Sequence, residues 1–180
     1  MSYFEINKPL RTFIPALRSI LTSPQTFFKG LPPAAFYSNA IFFVSILIFI
    51  ASFFSVPFHS MTLLFLLPVS WGLSLIGLFF WSKYMSWAVR VFAKSRLTTP
   101  NAFQISTYAA TPLVLLAIPY VGWVSYLLYL WLLWISLVHR CKVKAGMAAL
   151  VIAVPAVVFT SSVVVLLRLI VQMFPQLSQF

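Results

Sequence analysis

The chain has 180 residues, 62% of them hydrophobic, and sets twelve Lys and Arg against a single acidic residue, Glu5, for a formal net charge of +11. A water-soluble surface needs charges of both signs, so a soluble fold is excluded; with one side-chain carboxylate, most hydrolytic, metal-dependent and proton-coupled sites are excluded too. What remains is an integral membrane protein, in which lipid solvates the apolar side chains and the cations gather where the chain leaves the bilayer.

The mean hydropathy of +1.03 comes from continuous apolar runs, not from the short alternating segments of an outer-membrane barrel. The expected fold is all-α: a polytopic bundle of five transmembrane helices, preceded by short amphipathic helices. Two regions are expected: an amphipathic N-terminal segment, 1–37, and a transmembrane domain, 38–180.

In the N-terminal segment Leu10, Phe13, Ile14, Leu17, Ile20 and Leu21 recur at helical spacing, with Arg11 and Arg18 on a neighbouring side. Pro9 and Pro15 interrupt the pattern, so a short helix is predicted from about Ile14. A second begins at Ser23-Pro24, a capping serine before a first-turn proline. It carries Phe27 and Phe28 and stops at Gly30 before Pro32-Pro33. Both are expected to lie on the inner leaflet. No early apolar stretch ends in a small-residue cleavage site, so the first span is expected to act as an uncleaved anchor.

The first span is predicted from about Ser38 to Val56, with a reversal at Pro57-Phe58-His59-Ser60. The second runs from about Met61 to Trp81. Lys83, Ser86, Arg90 and Lys94 follow at spacings of three and four, which predicts that the helix continues beyond the membrane. Thr98-Thr99-Pro100 reads as the start of the next helix. The third span covers about Phe103 to Ile118 and the fourth about Trp123 to Val138, joined by Pro119-Tyr120-Val121-Gly122. Each is short of the roughly 20 residues of a full span; they extend into flanking polar residues, thin the bilayer locally, or form a re-entrant hairpin. The fifth runs from about Ala145 to Met173. With the N-terminus inside, eleven Lys and Arg fall on inner segments and Arg168 alone lies toward the outside. The positive-inside rule then places the N-terminus in the cytoplasm and the C-terminus outside.

Ser23-Pro24 with Phe27-Phe28 resembles the Pro-x-x-Phe-Phe segment that precedes the first span in the Yip family (Ypt/Rab-interacting proteins). Phe103 followed by Thr107-Tyr108-Ala109-Ala110-Thr111-Pro112 resembles the family's Gly-Tyr-x-x-x-Pro element, with Thr107 where glycine is common. The paired third and fourth helices, ending in a small basic loop, resemble its core hairpin. The resemblance is to bacterial five-span members. It implies the fold and an inner-membrane location with a cytoplasmic N-terminus, and it implies no enzymatic activity. The Asp-Leu-Tyr-Gly-Pro element of eukaryotic members is absent, so their Rab-linked role is not carried over.

Pro68, Pro112 and Pro155 fall inside spans. Each lacks an N–H and frees the carbonyl one turn earlier, at Leu64, Tyr108 and Val151. In hydrocarbon those carbonyls need partners. Ser70, Ser74, Thr107, Thr111, Thr160 and Ser161 are the nearby polar candidates. One consequence is a groove lined by Pro68, Ser70, Ser74, Tyr108, Thr111, Pro112 and Pro155; the other is kinks merely accommodated by packing. Ala145, Ala149, Ala153, Ala156 and Thr160 form a small-residue stripe suited to contact within the bundle or to a homodimer face. Gly72 and Gly77 mark a second close-packing surface. Trp81, Trp87, Trp123 and Trp134 are expected at the interfaces, Trp71 and Trp131 in the core.

His59 and His139 lie on opposite membrane sides, so no shared metal site is expected. No acid is placed to orient a catalytic histidine, and no cofactor is implied. Cys141, beside basic residues, is an inert thiol, an activated thiolate or an acylation site. Nucleic acid is not expected as a partner, because cytoplasmic loops facing anionic lipid account for the charge. The expected headgroup- or partner-binding residues are Lys83, Arg90, Lys94, Arg96, Arg140, Lys142 and Lys144. Two functions fit: a non-enzymatic adaptor whose basic face holds anionic lipid or a protein partner, and a passive conduit for lipid or a small solute.

Overall fold

The structure, a computed structural model, describes residues 3–55, 67–115, 118, 121–155 and 157. Within them the regular elements are helical: α1 (Pro9–Thr22), α2 (Pro24–Gly30), α3 (Ser38–Ser55), α4 (Leu67–Ala93), α5 (Thr99–Ala109), a 3-10 turn (Thr111–Leu115), α6 (Val121–His139) and α7 (Ala145–Pro155). Of these, α6 is long and apolar enough to cross a bilayer, and α3 and α7 are shorter apolar helices. The expected reversal at Pro57-Phe58-His59-Ser60, the freed carbonyl of Leu64 and most of the fifth span lie outside the described residues.

Helix α1 begins at Pro9, well before the expected Ile14. Pro9 takes the first helical position, where a missing N–H costs nothing. Pro15 is tolerated inside because the carbonyl it frees belongs to exposed Arg11, within reach of solvent. Ser23 stands at the start of α2 without capping it: its hydroxyl donates to the Ser19 carbonyl.

The N-terminal helices do not reserve their apolar faces for lipid, as the sequence led us to expect. Ala16, Ile20, Phe27 and Phe28 are fully buried, and α2 packs against α6. Phe27 meets Tyr108 edge-on at 5.3 Å between ring centres, Phe43 meets Tyr108 at 4.8 Å, and Phe4 meets Phe43 at 5.4 Å. Each such pair adds roughly 0.5–1.5 kcal/mol beyond area burial. Tyr108 therefore sits at the centre of a core to which the segment before the first span contributes three phenylalanines. Ile14 and Leu21 remain exposed.

Helices α3 and α4 run antiparallel. Tyr37 lies by Phe79, and eight residues further along α3 the Ser45 hydroxyl accepts from the Trp71 indole, eight residues back along α4. As predicted, α4 continues beyond Trp81. The third span is not one helix. Pro112 has no N–H and its ring crowds the carbonyl four residues back, so α5 stops at Ala109 and the chain tightens into the 3-10 turn, with the Leu113 N–H on the Ala110 carbonyl.

Three packing expectations are corrected. Gly72 and Gly77 have open space where a Cβ would stand, so among the described residues no helix approaches them closely. Ala145, Ala149 and Ala153 are exposed and α7 faces the bundle through Ala148, Val151 and Ile152, which speaks against the stripe as a contact within the bundle and does not bear on a homodimer face; Ala156 and Thr160 lie outside the described residues. Trp71 and Trp131 lie on outward faces, where lipid can solvate their rings.

Candidate functional site

Hydrogen bonds between loops bring several of the cations near one another: Arg90, Lys94 and Arg96 border one depression, and the Ser95 hydroxyl ties their loop to the one that carries Arg140 and Lys142. Arg140 follows the last turn of α6. Its Nη1 donates to the Leu31 carbonyl at 2.6 Å, and its Nη2 donates to the Pro32 carbonyl at 3.0 Å, to Asn101 Oδ1 at 3.1 Å and to Gln104 Oε1 at 3.3 Å. Asn101 Oδ1 also accepts the Ala34 N–H. Residues 31–34 follow α2, and Pro32-Pro33 cannot extend a helix, so the local carbonyls are free to accept. One guanidinium thus joins the link between α2 and α3, the first turns of α5 and the end of α6. All four acceptors are neutral. Burial lowers the Arg140 pKa, yet guanidinium stays protonated in proteins.

The other six cations expected at this face are exposed. Lys83 stands over the Phe79 ring at 4.9 Å. Lys94 ends α4 and Lys142 follows α6, and both adopt left-handed backbone, φ 50° and 52°. In each case the next N–H reaches back to a carbonyl six residues earlier, from Ser95 to Val89 and from Val143 to Leu137. The Ser95 hydroxyl donates to the Cys141 carbonyl at 3.0 Å, which locks the two basic loops side by side. Arg90, Lys94 and Arg96, with Ser95, Leu97 and Thr98, line a depression of about 470 Å³ between α4 and α5. Lys142 and Lys144 stand on the adjoining loop. Burial pushes the Cys141 thiol up to about 11 despite neighbouring Arg140, so the thiolate is scarce at neutral pH and the activated-thiol reading loses its basis.

The proposed groove residues differ in exposure. Pro68, Ser70 and Ser74 are exposed on α4, and the Ser70 hydroxyl donates to Leu67 of its own helix. Tyr108, Thr111 and Pro112 are buried in the core. Pro155 lies at the far end of the described part of α7. The carbonyls freed by Pro112 and Pro155 are nonetheless satisfied. Thr111 Oγ1 donates to Tyr108 at 2.8 Å, a partner expected from the sequence. Tyr84 donates to Val151 at 3.2 Å, a partner that was not. Replacing Thr111 with Val leaves the Tyr108 carbonyl buried and unpaired and will cost about 1–3 kcal/mol, whereas Thr111→Ser will cost little. Thermal unfolding in detergent reads the difference, and equal midpoints for the two variants would show that the hydroxyl is not needed.

Sequence reading missed Asn101, Gln104, Ser95 and Tyr84. A signal existed for the first two: polar amides at the start of an otherwise apolar helix, facing a diproline segment with unpaired carbonyls.

No significant match was found among curated proteins or among solved structures. A family model described as the Yip1 domain matches residues 18–167. The match starts within α1, runs through α7 and takes in all seven cations expected at the basic face, Lys83 to Lys144. The chain thus belongs to the Yip1 domain family and is a membrane protein of that family.

Proposed function

We propose that this protein is a non-enzymatic adaptor of a bacterial inner membrane, five-spanning with its N-terminus inside, whose basic end lies at the cytoplasmic surface and holds anionic lipid. The observation that carries this reading is the hydrogen bond from Ser95 to the Cys141 carbonyl. It sets the end of α4 and its loop, bearing Arg90, Lys94 and Arg96, beside the loop bearing Lys142 and Lys144, in a chain whose single acid cannot neutralise them. Anions must come from elsewhere, and an anionic leaflet supplies them at the level where spans end. Arg140 is assigned to the scaffold because both of its Nη nitrogens donate to the protein's own carbonyls and amides. The conduit reading has no comparable support, since the residues proposed to line a groove are divided between an exposed helix face and the core.

Each exposed cation near an anionic leaflet is worth roughly 1 kcal/mol, screened by salt. Replacing Arg90, Lys94, Arg96 and Lys142 together with Gln will therefore reduce anionic lipid co-purifying with the protein by well over tenfold at low salt, with zwitterionic lipid unaffected. Native mass spectrometry after reconstitution with mixed lipids measures both. Unchanged retention of anionic lipid would refute the lipid-adaptor reading and direct attention to a protein partner or a second copy.

A further inference from the structure

We infer that the depression between α4 and α5 is a discrete phosphate site, and that its occupant is the phosphate of one anionic phospholipid headgroup. The inference rests on the proposed lipid-binding role and localises it: one built pocket, not the whole basic surface, selects the lipid.

Three observations support a site. First, the depression is bordered by three cationic residues, Arg90, Lys94 and Arg96, together with Ser95 and Thr98. Second, the loop that carries them is held at both ends. The Ser95 hydroxyl donates to Cys141, the Ser86 hydroxyl donates to the Leu97 carbonyl, and the Leu97 side chain is buried. A ligand would meet groups already in position, which lowers the ordering cost of binding. Third, the placement of charge is unfavourable for the empty protein. Arg90 and Lys94 lie at the C-terminal end of α4, where cations are favoured. Arg96 lies just before the N-terminus of α5, where a cation is disfavoured and an anion is favoured. Thr98 makes no side-chain cap to the first turn of α5, and its Oγ accepts instead from Asn101 Nδ2. An anion seated between Arg96 and that turn would reverse the unfavourable term.

Lys94 takes left-handed backbone at a helix end, where glycine is the ordinary choice and a lysine is strained. Lys142 does the same on the neighbouring loop, outside the depression. This pair supplies a matched control. Lys94→Gly and Lys142→Gly each remove one charge and relieve the same strain, so neither is expected to lower the unfolding midpoint.

The test compares Lys94→Gly with Arg96→Gln against Lys142→Gly with Lys144→Gln. Both double variants lose two charges from the same end of the protein. Each is reconstituted in nanodiscs of phosphatidylcholine with one third phosphatidylglycerol, released into detergent and weighed intact. The pocket pair is expected to lose the single phosphatidylglycerol adduct by about tenfold more than the control pair, because only the pocket pair removes charge-assisted hydrogen bonds to phosphate. Equal loss in both pairs would overturn the pocket while leaving a diffuse basic face. An unmodified protein that shows no preference for phosphatidylglycerol over phosphatidylcholine would overturn the lipid-adaptor reading and the pocket with it. A separate arm titrates the unmodified protein with inorganic phosphate and glycerol phosphate, read by thermal shift. Saturable binding of free phosphate with no phosphatidylglycerol adduct would overturn the lipid as the source.

Discussion

Arg140→Ala will lower the apparent unfolding midpoint of the detergent-solubilised protein by about 6–12 °C, corresponding to about 3 kcal/mol for a chain of this size. Hydrogen bonds made by a charged group are worth roughly 1.5–3 kcal/mol each, and Arg140 makes four, to Leu31, Pro32, Asn101 and Gln104. The sum is not realised in full, because the Pro32 carbonyl lies toward the surface and water replaces the lost donor there. The cost is larger than a surface charge warrants because three segments meet on one side chain. Arg140→Lys will recover less than half of the loss, since an ammonium on a flexible stem cannot span acceptors spread over the α2–α3 link and α5. Lys142→Ala, two residues on and exposed, is expected within about 0.5 kcal/mol of the unmodified protein. Equal midpoints for Arg140→Ala and Lys142→Ala would return Arg140 to the set of headgroup-binding cations.

Arg140 also shows where sequence reading stops. Its basic neighbours and its place at a span end are the same as those of Lys142, so counting cations treats the two alike. What separates them is a set of carbonyls more than a hundred residues away, and no local pattern announces a partner at that distance. The prolines were more legible, because the consequence of a missing N–H falls on a fixed position four residues earlier. Thr111, inside the same turn, could be named as a partner for Tyr108; Tyr84, on a different helix from Val151, could not. The run from Lys83 to Lys94 was legible as a continuation of α4, since helical spacing needs no tertiary knowledge. The fate of Phe27 and Phe28 was not, because an amphipathic helix on a leaflet and one packed on a bundle share a single pattern. The left-handed lysines at 94 and 142 escaped notice for a related reason: helix ends of that shape are usually marked by glycine, and here they are not.

Phe27→Ala separates those two placements of the N-terminal helices and carries the largest expected effect on the fold. Phe27 is fully buried, with ring centres 5.6 Å from Tyr3, 5.4 Å from Phe28 and 5.3 Å from Tyr108. Removing a buried phenylalanine side chain costs about 3–5 kcal/mol, part from lost transfer and part from the cavity left behind. The cavity opens beside Tyr108, the residue through which α2 and α3 share one core, so collapse around it would disturb both helices. Ile14→Ala supplies the contrast: Ile14 lies on α1 with 70% of its surface exposed, and its loss removes little internal contact. On the packed arrangement Phe27→Ala will lower the unfolding midpoint by about 6–20 °C while Ile14→Ala leaves it nearly unchanged. On a leaflet-bound arrangement both side chains would face lipid and the two variants would behave alike. Phe27→Leu keeps most of the volume and is expected to restore more than half of the loss. A small, equal response to Phe27→Ala and Ile14→Ala would detach α2 from the core and remove the support for Arg140 as well, since the carbonyls it holds begin one residue after α2 ends.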